Sequence, residues 1–136
     1  MQGGHVEAIR RTFYVYQGTV DRDSGWIELT IDGRAVLFRG HSDGCHLRAI
    51  PGHWIDPLEG SLSEENAEFV ERHGKFEAFD VSSDLPYSQV IGHTIADMVP
   101  LTDLHGQVIG FQLTAADTVL RGWVESDEFY VLFAPW

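Results

Sequence analysis

Residues 25–38 constrain the fold more than any other stretch of this chain. Within 25–31, Ile27, Leu29 and Ile31 alternate with Trp26, Glu28 and Thr30, the period of a strand with one apolar and one polar face. Asp32-Gly33 follows, and then Arg34, Ala35, Val36, Leu37 and Phe38. An Asp-Gly pair between two such runs predicts a two-residue turn with positive φ at both positions, and therefore an antiparallel hairpin. A lone hairpin is at best marginally stable, so further strands must complete the sheet.

Candidates lie on both sides. Upstream, residues 9–20 are dense in aromatic and β-branched side chains and read as one strand, with Phe13, Tyr14, Val15 and Tyr16 at its centre. Downstream, 41–46 and Pro51-Gly52 are loop signals around a short apolar stretch at 47–50, a possible fourth strand. Residues 75–82 offer another. The last third repeats a rhythm of strands at 94–101, 107–114, 119–125 and 128–133 separated by short turns. Parallel strands would need crossovers of about a dozen residues or more, so these four read as an antiparallel meander.

Only 63–73 carries convincing helix signals. Ser63 can cap it, Glu64, Glu65 and Glu68 suit the positive end of the helix dipole, Arg72 and His73 the negative end, and Gly74 can terminate it. Leu62, Phe69, Val70 and His73 are expected to pack inward. The predicted fold class is α+β: one domain over 1–136, mainly a twisted or curled antiparallel sheet of about seven or eight strands, with a C-terminal meander and one short helix near 63–73.

Charge narrows the partners. Nine basic residues stand against 21 acidic ones, a net charge of −12 with the seven histidines neutral. Nucleic acid and anionic membranes are both recognised through cationic side chains, so neither is expected as a partner. No apolar run reaches the roughly 20 residues needed to span a bilayer. Met1, Gln2, Gly3, Gly4 and His5 lack a signal peptide's apolar centre, and the single cysteine, Cys45, cannot form an intramolecular disulfide. The expected location is the cytoplasm.

The side chains that could recognise a partner are Trp26, Tyr14, Tyr16 and Trp123, which fall opposite the best apolar stripes, with Glu28 and Glu125 among the acids beside them. Exposed aromatics flanked by charge make an interaction surface, in which rings anchor and charge steers. The alternative is a sheet buried on both faces. Arg10, Arg11, Arg34 and Arg39 could hold a carboxylate or phosphate, or simply neutralise neighbouring acids.

Signals for chemistry are weaker. His41, Asp43, Cys45, His46 and His53 are metal-ligand types in one stretch, but Cys45 and His46 are adjacent and would point to opposite sides of a strand. A polar loop with a small apolar cysteine accounts for the stretch without a metal. A nucleophilic Cys45 would need an oriented histidine beside it. Asp80 and Asp84 could meet a hard cation but lack the further oxygens of a calcium loop. Neither a Gly-Lys-Ser/Thr phosphate loop nor a Gly-x-Ser-x-Gly elbow occurs, so no cofactor, metal or catalytic residue is expected.

The run from Ile91 through Gly106-Gln-Val-Ile-Gly-Phe-Gln-Leu113, followed by Trp123-Val-Glu-Ser-Asp-Glu-Phe-Tyr-Val131, resembles small bacterial proteins, some thought to be immunity proteins of polymorphic toxin systems. In these a Gly-x-x-x-Gly-Phe-Gln-Leu-like strand pair precedes a final Glu-x-x-Val-type strand. The resemblance covers the last third of the chain and carries over no catalytic residue. It implies a binding role, an acidic domain that occludes a basic toxin.

The leading expectation is thus a non-enzymatic, acidic protein-binding domain, an immunity-type inhibitor of a basic toxin. The alternatives are a sheet or barrel with an aromatic-lined cavity for a small molecule, and a metal-dependent hydrolase built on His41, His46 and His53. If Phe13, Tyr14, Val15 and Tyr16 form an edge strand, that edge would also suit pairing with a second copy of the chain.

Overall fold

A computed structural model describes residues 3–41, 43, 45–57 and 63–136. Among the described residues the expected α+β class holds, with nine strands in two antiparallel sheets and one α-helix. The first sheet contains β1 (Val6–Tyr16), β2 (Thr19–Ile31), β3 (Arg34–Gly40), β4 (Leu47–Pro51) and β5 (Lys75–Asp80), in the order β4-β3-β2-β1-β5. The second is the meander β6 (Ile95–Thr102), β7 (Val108–Ala115), β8 (Thr118–Glu125) and β9 (Glu128–Pro135). The hairpin anticipated at Asp32-Gly33 joins β2 to β3, with φ of 49° and 79° at the two turn residues.

The two sheets pack face to face over one cluster. Ile9 and Phe13 from β1, Ile27 and Leu29 from β2, and Phe38 from β3 meet Phe111 and Leu113 from β7, Leu120 and Val124 from β8, and Phe129 from β9. The Phe38 and Phe111 rings meet across the middle, tilted by 33° with centres 4.4 Å apart. Each contributing strand supplies alternate residues, which leaves the intervening side chains on two outer faces on opposite sides of the molecule.

Three expectations are corrected. Residues 9–20 are not one strand: Gln17 and Gly18, at φ of 48° and 76°, turn the chain from β1 into β2. Nor is β1 an edge, since β2 pairs it on one side and β5 on the other, Arg10↔Asp80 to Val15↔Lys75. Phe13, Tyr14, Val15 and Tyr16 therefore offer no open edge to a second copy. The helix α1 (Glu64–His73) has the expected caps, Ser63 Oγ accepting from Asn66 N–H at 3.1 Å and Gly74 at φ 77°. It buries no residue, and Phe69 is 57% exposed. Leu62 lies outside the described residues.

The pairing of β1 with β2 shifts register twice, between Val6 and Ala8 and, more widely, between Thr12 and Tyr14. At the second, the register jumps from Thr12↔Trp26 to Tyr14↔Asp21, so residues 22–25 form a bulge on β2. Gly25 makes it possible, because at φ +82° a Cβ would stand 1.4 Å from the Thr12 carbonyl oxygen.

Candidate functional site

The outer face of the N-terminal sheet carries Arg10 and Tyr14 from β1, Trp26 and Glu28 from β2, Arg39 from β3 and Phe76 from β5. Glu28 is a carboxylate only 3% exposed. It accepts the Trp54 backbone N–H at 2.7 Å and lies 2.9 Å from His53 Nδ1, both groups coming from the segment after β4. Arg10 Nε is 3.1 Å from the same carboxylate as an ion pair, although its N–H does not point along a hydrogen bond. The Arg10 guanidinium also donates from Nη2 to the Trp54 carbonyl at 3.2 Å. A buried charge is stable only with such partners, and here it fastens the 52–57 crossover to the sheet. Glu28 is spent on that fastening and is not presented to a partner.

Beside it stands an aromatic cluster. Trp26 lies 4.6 Å from Phe76 and 6.1 Å from Trp54, Phe76 lies 5.0 Å from Tyr14, and the Arg39 guanidinium sits 4.5 Å above the Trp26 ring. Tyr14 donates its hydroxyl to the His73 carbonyl, tying α1 to the sheet. Lys75 Nζ pairs with Asp56 at 2.7 Å. Between Trp26, Trp54, Phe69 and Phe76 is a cleft of about 430 Å³. The Trp26 indole N–H is buried without a partner among the described residues. Tyr16 is at the far end of β1, 40% exposed, beside Arg72 and His73.

The outer face of the C-terminal sheet is different. Trp123 and Tyr130 are cross-strand partners with stacked rings, 5.5 Å apart at 24°. Gly110, paired with Trp123, keeps the space beneath it clear, since a Cβ there would come within 2.7 Å of the Trp123 Cβ. Glu125 and Glu128 face each other at the end of the same pair of strands. The Tyr130 hydroxyl donates to Glu128 at 2.6 Å, and this bond raises the phenol above its ordinary pKa. Arg121 is bound through Nε to Gln112 at 2.7 Å. Val99 and Leu132 on this face and Val108 at its edge remain 37%, 47% and 40% exposed. The helix and the 52–57 crossover lie against the other sheet, so among the described residues this is the more open face.

The six expected binding residues therefore divide. Trp26, Tyr14 and Glu28 lie under or beside the crossover, Tyr16 at the end of β1, and Trp123 and Glu125 on the opposite side of the molecule. Parity along each strand was readable from sequence, but the side on which each sheet packs was not. Tyr130, paired with Trp123, went unnoticed although it lies two residues from Glu128 on the polar side of β9.

The histidine-rich stretch does not assemble a site. The Asp43 carboxylate accepts the backbone N–H of Cys45 at 2.8 Å and of His46 at 3.1 Å, and meets the His46 ring. These bonds, the Cys45 N–H foremost, hold it below the usual carboxylate range. His41 Nδ1 is 3.8 Å from Asp43, Cys45 is exposed, and His53 is held at Glu28. Among the described residues no three His, Cys, Asp or Glu side chains converge as metal ligands. Asp80 accepts the Ser82 N–H at 2.9 Å, and its bonds to Ser82 lower its pKa. Among the described residues, no helix is long and apolar enough to cross a membrane.

No protein-family model, curated protein or solved structure matches the chain, so its functional reading rests on these geometries.

Proposed function

We propose that the protein is a cytoplasmic, non-enzymatic binding domain that seats a basic protein on the outer face of its C-terminal sheet, as an immunity-type inhibitor seats a toxin. One observation carries the reading. The open face joins a stacked Trp123–Tyr130 pair to exposed Val99 and Leu132, and ends in Glu125 and Glu128. Exposed apolar area of this kind marks interaction surfaces, and rings of this size serve as anchors. A net charge of −12 would speed encounter with a cationic partner and repel anionic ones.

Affinity capture from the native cell extract tests it, using the immobilised wild type, Trp123→Ala and Glu125→Lys at low and high salt. The expected result is a basic protein held by the wild type, weakened by salt and lost from both variants. Capture of no basic protein, or capture indifferent to Trp123, removes the proposal.

A second reading is favoured by the Trp26 N–H, which has no partner among the described residues, beside the 430 Å³ cleft. A small aromatic molecule with a hydrogen-bond acceptor would fill that cleft and satisfy the indole. Ligand-observed NMR on a fragment set would then give hits that disappear in Trp26→Phe. Hits unaffected by that substitution would exclude the cleft.

A further inference from the structure

Between the β2 bulge and β9 the two sheets part, leaving a groove of about 880 Å³. Arg11 and Arg22 line it together with an apolar wall of Tyr87, Phe129, Val131 and Phe133. Arg11 arises from strand parity: on β1 it shares the inward face with Ile9 and Phe13, and it is 3% exposed. Its Nε–H donates to the Trp26 carbonyl at 3.1 Å, Nη1 to the Tyr87 hydroxyl at 2.8 Å and Nη2 to the Ser24 carbonyl at 3.2 Å. All three acceptors are neutral, and a guanidinium carries five N–H donors.

What Arg11 lacks is a counter-charge. Arg10, Arg72 and Lys75 have carboxylates within 4.0 Å; among the described residues the other arginines, Arg22 included, have none, and of these Arg11 alone is buried. Asp23 acts on Arg11 only from beyond that distance, and burial lowers the Arg11 pKa. Arg22 stands 5.5 Å from the Phe13 ring centre, and Arg11 stands 4.8 Å from the same ring. Two guanidinium groups thus converge on one aromatic ring in a chain with 21 acids to choose from. Bracing the bulge explains the Arg11 bonds to Ser24 and Trp26, and the third ties Tyr87 to β1. Neither role explains the convergence of Arg22, which takes no part in the brace, or a buried cation left without an anion.

We propose that this groove binds a small organic monocarboxylate, its carboxylate lying between Arg11 and Arg22 and its apolar body lying along Tyr87, Phe129, Val131 and Phe133. Arginine recognises carboxylates through paired N–H donors, and Tyr87, Phe129, Val131 and Phe133 offer carbon surface for an apolar body. Asp23 and Asp117 also line the groove, which favours a single negative charge over a phosphate dianion. The groove borders the open face of the C-terminal sheet, since Tyr130 and Leu132 also line it, but its cations come from β1 and β2 and Trp123 is not in its lining.

Calorimetric titration with octanoate, 1-octanol, octylamine and octyl phosphate tests the proposal, each against the wild type, Arg22→Gln and Trp123→Ala. Arg22 is an exposed residue outside the core cluster, and circular dichroism would verify that its variant folds. The wild type is expected to bind octanoate at least about tenfold more tightly than any of the other three probes. Arg22→Gln should lose about tenfold for octanoate and leave 1-octanol unchanged, while Trp123→Ala leaves octanoate binding intact. Amide NMR shifts on adding octanoate should centre on Tyr87, Phe129, Val131 and Phe133. The proposal is overturned if octanoate binds no better than 1-octanol, if octyl phosphate binds more tightly, or if Arg22→Gln binds octanoate as the wild type does.

Discussion

Glu28→Ala is expected to cost about 3–4 kcal/mol of folding stability. The Glu28 side chain is 3% exposed, so its interactions on the protein side escape most solvent screening. Its bond from the Trp54 N–H, at 2.7 Å, is charge-assisted and contributes roughly 1.5–3 kcal/mol. Arg10 is 33% exposed and His53 60% exposed, so their pairs with Glu28 are discounted to about 1 kcal/mol together. Truncation also strands the Trp54 N–H, which places the total near the low end of the 3–5 kcal/mol typical of a broken buried pair. For a chain of 136 residues this corresponds to a fall in Tm of roughly 12–16 °C. Glu28→Gln keeps an acceptor for Trp54 and should lose about half as much. Urea unfolding followed by tryptophan fluorescence measures both, since Trp54 and Trp26 report on the crossover. A loss below about 1 kcal/mol for Glu28→Ala would refute the fastening of 52–57 by this carboxylate.

Gly25→Ala forces a Cβ into the space 1.4 Å from the Thr12 carbonyl oxygen, and should cost about 2–4 kcal/mol in a urea melt, whereas a change within about 0.5 kcal/mol would mean that the bulge is adaptable. Leu113→Ala, at a side chain with 0% exposure between the sheets, should cost about 2–5 kcal/mol by the same assay, and less than about 1 kcal/mol would argue against a close-packed centre. Asp103 accepts the backbone N–H groups of Gln107 and His105, and these, Gln107 foremost, hold its pKa below the usual 3.8. A carboxyl depressed on folding contributes stability that is present above its unfolded pKa and is lost as pH falls through the folded value. The wild type should therefore exceed Asp103→Asn in stability at pH 5, with the gap closing towards pH 2; a gap that does not depend on pH would contradict this.

Much of the fold was legible. Alternation at Ile27, Leu29 and Ile31 with Asp32-Gly33 located the hairpin, and turn spacing in the last third located β6 to β9 to within a residue or two. The turn at Gln17-Gly18 was missed because glutamine is an unusual left-handed residue, held there by strand pairing on both sides. Side-chain parity told which residues share a strand face, but not which two faces meet. The aromatic residues consequently looked like one surface and belong to two.

Two charged residues held signals that were readable but ambiguous. Glu28 stands between Ile27 and Leu29 in a sheet-centre strand, and its burial depends on a crossover whose path no local pattern encodes. Arg11 lies between Ile9 and Phe13 at the inward parity, which marks it as buried once the core side of β1 is known. Before that, it reads as one of two adjacent arginines neutralising acids.

The open face of the C-terminal sheet is tested most directly by hydroxyl-radical footprinting of the protein alone and with its captured partner. Trp123, Tyr130 and Leu132 should lose most of their oxidation in the complex, while Phe69, on the helix beside the other sheet, keeps its own. Protection at Phe69 with Trp123 and Tyr130 still oxidised would place the partner on the opposite sheet and contradict the proposed seat.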